Sequence, residues 1–153
     1  MMFTTFKKTQ AGFGLIESLV ALVVVSVGMI GIAALYGQGL GASRTALFRT
    51  QAVNLASDMA DRIRLNRGAG AGYNAAAADN NCDAGDNTNC TAAQMAAHDL
   101  WVWGNEITQR LPTGGGTVQY GAAAPPTYTI RVTWDDGGFG AMAHQIVITV
   151  PSL

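Results

Sequence analysis

The sequence predicts an α+β fold: one long N-terminal helix packed on a small antiparallel sheet of about three strands, with a second, short helix. Three observations predict it. No proline interrupts residues 13–67, and in their second half apolar residues recur at spacings of three and four. A second helical pattern runs from Thr91 to Leu111 and stops at Pro112. Beyond it, three short strand-like runs are separated by turn residues, the pattern of an antiparallel meander. The chain has 153 residues, enough for one folded domain and hardly for two.

Taken in order, residues 1–12 form a short polar leader, 13–41 an apolar helix, 42–67 its amphipathic continuation and 68–153 a globular head. Between Leu15 and Tyr36 the only ionisable residue is Glu17. That run matches the ~20 residues that cross bilayer hydrocarbon as a helix. Lys7 and Lys8 precede it, and such basic flanks stay cytoplasmic, so the head is expected on the outer side. In residues 42–67, Leu47, Phe48, Ala52, Leu55, Ala56, Met59 and Ile63 form an apolar stripe. Arg49, Asn54, Asp58, Asp61, Arg62 and Arg64 carry the other face, with Asp58–Arg62 as an i,i+4 pair. Arg62, Arg64 and Arg67 crowd the last turn, where the helix dipole favours cations, and Gly68 is a stop signal.

Residues 68–90 are dominated by Gly, Ala, Asn and Asp and read as a loop without regular structure. Thr91 is placed to N-cap the second helix, with Gln94 as its capping-box partner. Met95, His98, Trp101 or Val102, Ile107 and Leu111 make an imperfect apolar stripe. The strands are read at Thr117–Tyr120, Tyr128–Trp134 and Gln145–Val150. In the second, Tyr128, Ile130, Val132 and Trp134 share one face. Asp136-Gly137-Gly138 is a turn signal between the last two. The apolar face of the sheet is expected to lie against the outer half of the long helix.

Composition excludes several function classes. Charged residues are 12% and the net charge is −1, so there is no global field for nucleic acid or anionic lipid. His98 and His144 are far apart, without ligand spacing to Cys, Asp or Glu save Asp99, which points elsewhere on the helix. Ser26 and Ser43 lack a base. Asp79, Asp83, Asp86 and Asn87 lack the Gly and Glu spacing of a cation loop. Gly114-Gly115-Gly116 lacks the Lys of a phosphate loop and reads as a turn. No catalytic residue, metal, cofactor, nucleic-acid contact or small-molecule substrate is expected. Cys82 and Cys90 both fall on the outward side, where an oxidising compartment lets them form a disulfide. Trp101, Trp103 and Trp134 read as core anchors. Trp101 and Trp103 are two apart and cannot face the same way on a helix, so one is a candidate subunit contact.

The most informative segment is Gly12-Phe13-Gly14-Leu15-Ile16-Glu17. A plain signal peptide is cleaved after its apolar run, at a site such as Gly41-Ala42-Ser43, but this run is about twice the usual ~7–15 residues. A plain membrane anchor needs only the basic flank and the apolar run. Neither accounts for Glu17, because a carboxylate at the centre of a membrane helix costs about 2.5–3.5 kcal/mol, and less near the interface.

The segment resembles the class III leader motif of type IV prepilins and type II secretion pseudopilins. The resemblance implies the type IV pilin fold and cleavage between Gly12 and Phe13 by a prepilin peptidase. It also implies N-methylation of Phe13 and a role for Glu17 as the carboxylate that meets a neighbouring subunit's amine during assembly. Many major pilins carry a proline within the hydrophobic helix, and none is present here. Gln51 to Asn66, Cys90 to Trp103 and Tyr128 to Asp135 resemble the PilV family of minor pilins, the type IV pilus modification proteins. That resemblance implies a low-abundance subunit that joins other minor pilins, and the major pilin, in an initiating complex ending at the pilus tip. Before assembly it implies a single-pass protein of the inner membrane, with the N-terminus cytoplasmic and the head periplasmic. The GspI-type minor pseudopilin of type II secretion is the nearest alternative. From a different class, a membrane-tethered periplasmic binding module has no use for Glu17.

Overall fold

A computed structural model of the chain describes residues 12–83, 89–137 and 140–151. The leader up to residue 11, with Lys7 and Lys8, lies outside the described residues, as do Asp86, Asn87 and Gly138. The chain divides into two compact units, Met1–Gly41 and Ala42–Leu153. Helix α1, Leu15–Leu65, supplies residues to both.

In the first unit every described residue is exposed, and the side chains of α1 here are almost all apolar. Among the described residues α1 is the one helix long and apolar enough to cross a membrane. A nearly continuous apolar surface, broken chiefly by Glu17, is stable in lipid or against other helices rather than in water.

The second unit holds the core. From α1 it takes Ala52, Leu55, Ala56, Met59, Ala60 and Ile63, all buried. This is the expected helical stripe shifted toward the C-terminus: Leu47 stays exposed and Phe48 is only half-buried. Full burial of a side chain such as Leu55, Met59 or Ile63 contributes about 1.5–3 kcal/mol.

Residues 67–74 depart from the loop reading. Arg67–Asn74 forms a 3-10 helix interrupted at Gly70, whose positive φ breaks the run. It delivers the buried side chain of Tyr73 to the core. Residues 78–83 have no regular structure but lie along the second helix. Ala78 N–H donates to the Ala97 carbonyl at 3.0 Å, and Asn80 Nδ2 to the Gln94 carbonyl at 2.8 Å.

Helix α2 spans Ala92–Arg110 and starts with the expected capping box between Thr91 and Gln94. Its buried apolar stripe is Ala96, Leu100, Trp103 and Ile107, spaced four, three and four, with Leu111 at the C-cap. Of the expected stripe His98, Ile107 and Leu111 are buried, whereas Met95 and Val102 are half-buried and Trp101 is exposed; Trp103 takes the core position instead. The Trp103 Nε1–H donates to the Leu55 carbonyl at 2.8 Å.

Three strands follow: β1 Gly115–Gly121, β2 Thr127–Asp135 and β3 Ala141–Thr149, antiparallel in the order β1-β2-β3. Register sets Tyr128 opposite Ile148, Ile130 opposite Ile146, Val132 opposite His144 and Trp134 opposite Met142. The β2 members of these pairs are buried, whereas those on the edge strand β3 are half-exposed. The glycine triplet is more than a turn. Gly115 and Gly116 open β1, and a Cβ on Gly116 would overlap the ring of Trp103 and reach 2.5 Å from Ile107 Cδ1. At the β2–β3 turn Gly137 has a φ of +62°, and its N–H donates to Asp135 Oδ1 at 2.9 Å.

Candidate assembly site

The N-terminal constellation is built from backbone outward. Gly12, Phe13 and Gly14 precede α1, and the Gly14 carbonyl accepts from the N–H groups of Glu17 at 3.1 Å and Ser18 at 3.2 Å. Glu17 therefore stands in the first turn of the helix, where unpaired N–H groups and the dipole favour a carboxylate. It is exposed and makes no ion pair with any described residue. Phe13 is 86% exposed, and around Glu17 lie the exposed Leu15, Ile16, Leu19 and Val20. A lone carboxylate at the end of an apolar rod needs an outside partner once that rod leaves water.

A family model for the prokaryotic N-terminal methylation motif matches residues 7–33. It is followed without a gap by a match to the family described as type IV pilin Tt1218, over residues 34–101. The chain has the fold and the N-terminal motif of a type IV pilin. Neither a curated protein nor a solved structure matches it. The methylation motif implies processing by prepilin peptidase and assembly with other pilins. With the single apolar helix, it supports anchoring in a membrane and association with a pilus.

In the head, the structure sorts the remaining candidates. Cys82 and Cys90 are joined in a disulfide. Trp103 is 1% exposed and locked under α1, so as a contact residue it is ruled out by burial. Trp101 is 40% exposed and stacks on His98, ring centroids 6.0 Å apart. It alone of the two offers surface to a partner.

Sequence spacing missed one cluster and found only the Asp58–Arg62 pair of another. His98 is buried, with Nδ1 3.3 Å from Asp79 Oδ1 and Nε2 3.2 Å from Asp83 Oδ1, neither aligned as a hydrogen bond. The partners lie in the segment read as a solvated loop. The second cluster centres on Arg62. It holds Asp58 at 2.9 Å and Asp99 at 3.3 Å, with Glu106 at 3.8 Å. Tyr73 Oη donates to Asp99 Oδ2 at 3.0 Å. Burial pulls the Arg62 pKa down, but Asp58 and Asp99 together outweigh it and hold it above the ordinary arginine value. Burial first, and then the charge of Asp99, push the Tyr73 hydroxyl well above the usual tyrosine range. Tyr73 is the one aromatic in a Gly/Ala-rich stretch, the only signal that could have marked it.

Proposed function

We propose that this chain is a minor pilin, cut after Gly12, methylated at Phe13 and built into a type IV pilus in a priming or tip complex with other minor pilins. The observation that carries this is Glu17: a solitary exposed carboxylate in the first turn of an apolar helix, four residues after the proposed new N-terminus. Cleavage would leave a positive amine on Phe13 in an apolar setting. Pairing Glu17 of one subunit with the Phe13 amine of the next removes two unmatched charges at once and sets the register of the helices. The resemblance of Gln51–Asn66 and Cys90–Trp103 to PilV supports the minor rather than the major role. The absence of proline between Phe13 and Arg67 accords with that departure from many major pilins.

Intact-mass measurement of the membrane-extracted protein tests the processing step. Removal of 12 of the 153 residues should leave 141, plus one methyl group. A mature N-terminus beyond Ala42 would mark ordinary signal-peptide removal and end the pilin assignment.

A further inference from the structure

The sheet ends differently at its two edges. Beside β1 packs the 3-10 helix Arg67–Asn74, and Asn74 Oδ1 accepts from the outward-turned Tyr120 N–H at 2.7 Å. The other edge is β3, which pairs with β2 without a break from Ala141 to Thr149. Just beyond its ends the Gly140 carbonyl accepts from the Asp136 N–H at 3.2 Å, and the Val150 N–H donates to the Pro126 carbonyl at 3.1 Å. Even-numbered residues of β3 therefore turn their backbone groups to β2, and odd-numbered ones turn theirs away. The outward row is Ala141, Ala143, Gln145, Val147 and Thr149. All are exposed, and among the described residues no further hydrogen bond reaches them.

An open edge is a template for any extended chain, and folded proteins blunt it with lysine, proline, a bulge or a covering segment. Ala141–Thr149 contains no Lys, Arg, Asp, Glu or Pro. The apolar layer beneath it also stops one strand short. Met142, Ile146 and Ile148 on the inward face of β3 are half-buried, whereas Ile130 and Val132 of β2 are buried. A row of alternating donors and acceptors above an unfinished apolar face fits an extended backbone with apolar side chains at every second residue. Neither lipid nor a small molecule matches that repeat. We propose that β3 receives a strand from the head of a different pilin, which extends the sheet to a fourth strand. A second copy does not fit. Its β1 edge already holds Asn74, and two β3 edges pair symmetrically only antiparallel, which turns one head end-for-end. Pairing of Glu17 with a neighbour's Phe13 amine stacks subunits in one direction instead. The proposal rests on the pilin reading above.

The test places the photoreactive residue p-benzoylphenylalanine at Ala143 of the full chain, on the open edge, in cells that assemble filaments. A second version carries it at Val23 in the apolar helix. Cross-linked peptides are identified by mass spectrometry. The expected result is capture at Ala143 of a strand segment from the head of another pilin. Gln145→Pro removes an outward N–H that β2 does not use, so it should spare the head and lower that yield by about tenfold or more. Gln145→Ala keeps the backbone donor and should retain most of the yield. Resistance of the head to trypsin checks folding, and Val147→Pro, at the next outward position, repeats the test if Gln145→Pro loses that resistance. The proposal is overturned if Ala143 captures only this same sequence, lipid, a protein other than a pilin or nothing, while Val23 captures pilin chains. It is also overturned if a folded proline variant gives the yield of Gln145→Ala. If Val23 captures no pilin chain either, the filament reading falls, and this proposal with it.

Discussion

Tyr73 shows how one side chain ties three segments of the head together. Its ring lies edge-on to Tyr128 of β2, centroids 6.0 Å apart, and its hydroxyl reaches Asp99 on α2 and the Arg62 carbonyl on α1. Removing the hydroxyl leaves Asp99 with one donor fewer in a site where little water can replace it. Tyr73→Phe should therefore destabilise the head by about 1–3 kcal/mol, read from denaturant midpoints of the detergent-solubilised chain. Because burial and Asp99 raise the Tyr73 pKa on folding, the fold favours the neutral phenol. That stabilisation is complete below the unfolded value of about 10 and is lost as pH rises above it toward the folded value. Wild type should lose stability above that pH more steeply than Tyr73→Phe. Equal slopes would show that Tyr73 does not titrate between the two states.

Between elements, contact is governed by what lies under the glycines and by the disulfide. Gly116 lets β1 pass directly over the Trp103 ring, which in turn is hydrogen-bonded to α1. Gly116→Ala must push that ring or Ile107 aside, at a cost of about 1–3 kcal/mol. Near-ultraviolet circular dichroism should report the displaced tryptophan. A silent spectrum with unchanged stability would mean that β1 can rise off α2 freely. The Cys82–Cys90 bond closes a short loop directly before the α2 cap. In the chain-entropy account it contributes about 2–3 kcal/mol. The unreduced, denatured protein should show no reactive thiols, and the Cys82→Ser/Cys90→Ser protein should unfold correspondingly earlier. At this scale the existence of α1, α2 and the meander was legible, because helical and two-residue periodicities survive in any single sequence. The side of α2 that faces the core was legible only in part: His98, Ile107 and Leu111 are buried as expected, but Trp101 is not. Trp101 and Trp103 are equally apolar; Trp103 shares the buried face with Ala96, Leu100 and Ile107 and donates to the Leu55 carbonyl, whereas Trp101 does not.

For the whole molecule, the two units pose different physical problems. The head gathers a buried apolar core, whereas the described residues of the first unit bury nothing. Membrane or filament must complete that unit. Glu17→Ala should leave insertion intact, or ease it, because a carboxylate is removed from the apolar end. Leader cleavage should also persist, since Gly12-Phe13 is unchanged. Entry into filaments should fall, measured as co-purification with sheared pili normalised to membrane level. Glu17→Gln should restore only part of it, as it accepts a hydrogen bond without charge. Assembly of the alanine variant at wild-type level would remove Glu17 from the assembly role.

By itself the sequence determined the apolar rod, the solitary Glu17 near its start, the α2 cap and the three-strand order. Each of these is written in neighbouring residues: an unbroken apolar run, a Thr91–Gln94 spacing, alternation between turns. The tertiary structure alone decided that Tyr73 and Asp99 meet Arg62, that His98 sits between Asp79 and Asp83, and that Trp134 is buried with its N–H unmet. Those contacts join residues far apart in the chain or depend on which helical face turns inward. Burial and partner geometry, which local periodicity does not encode, fix them.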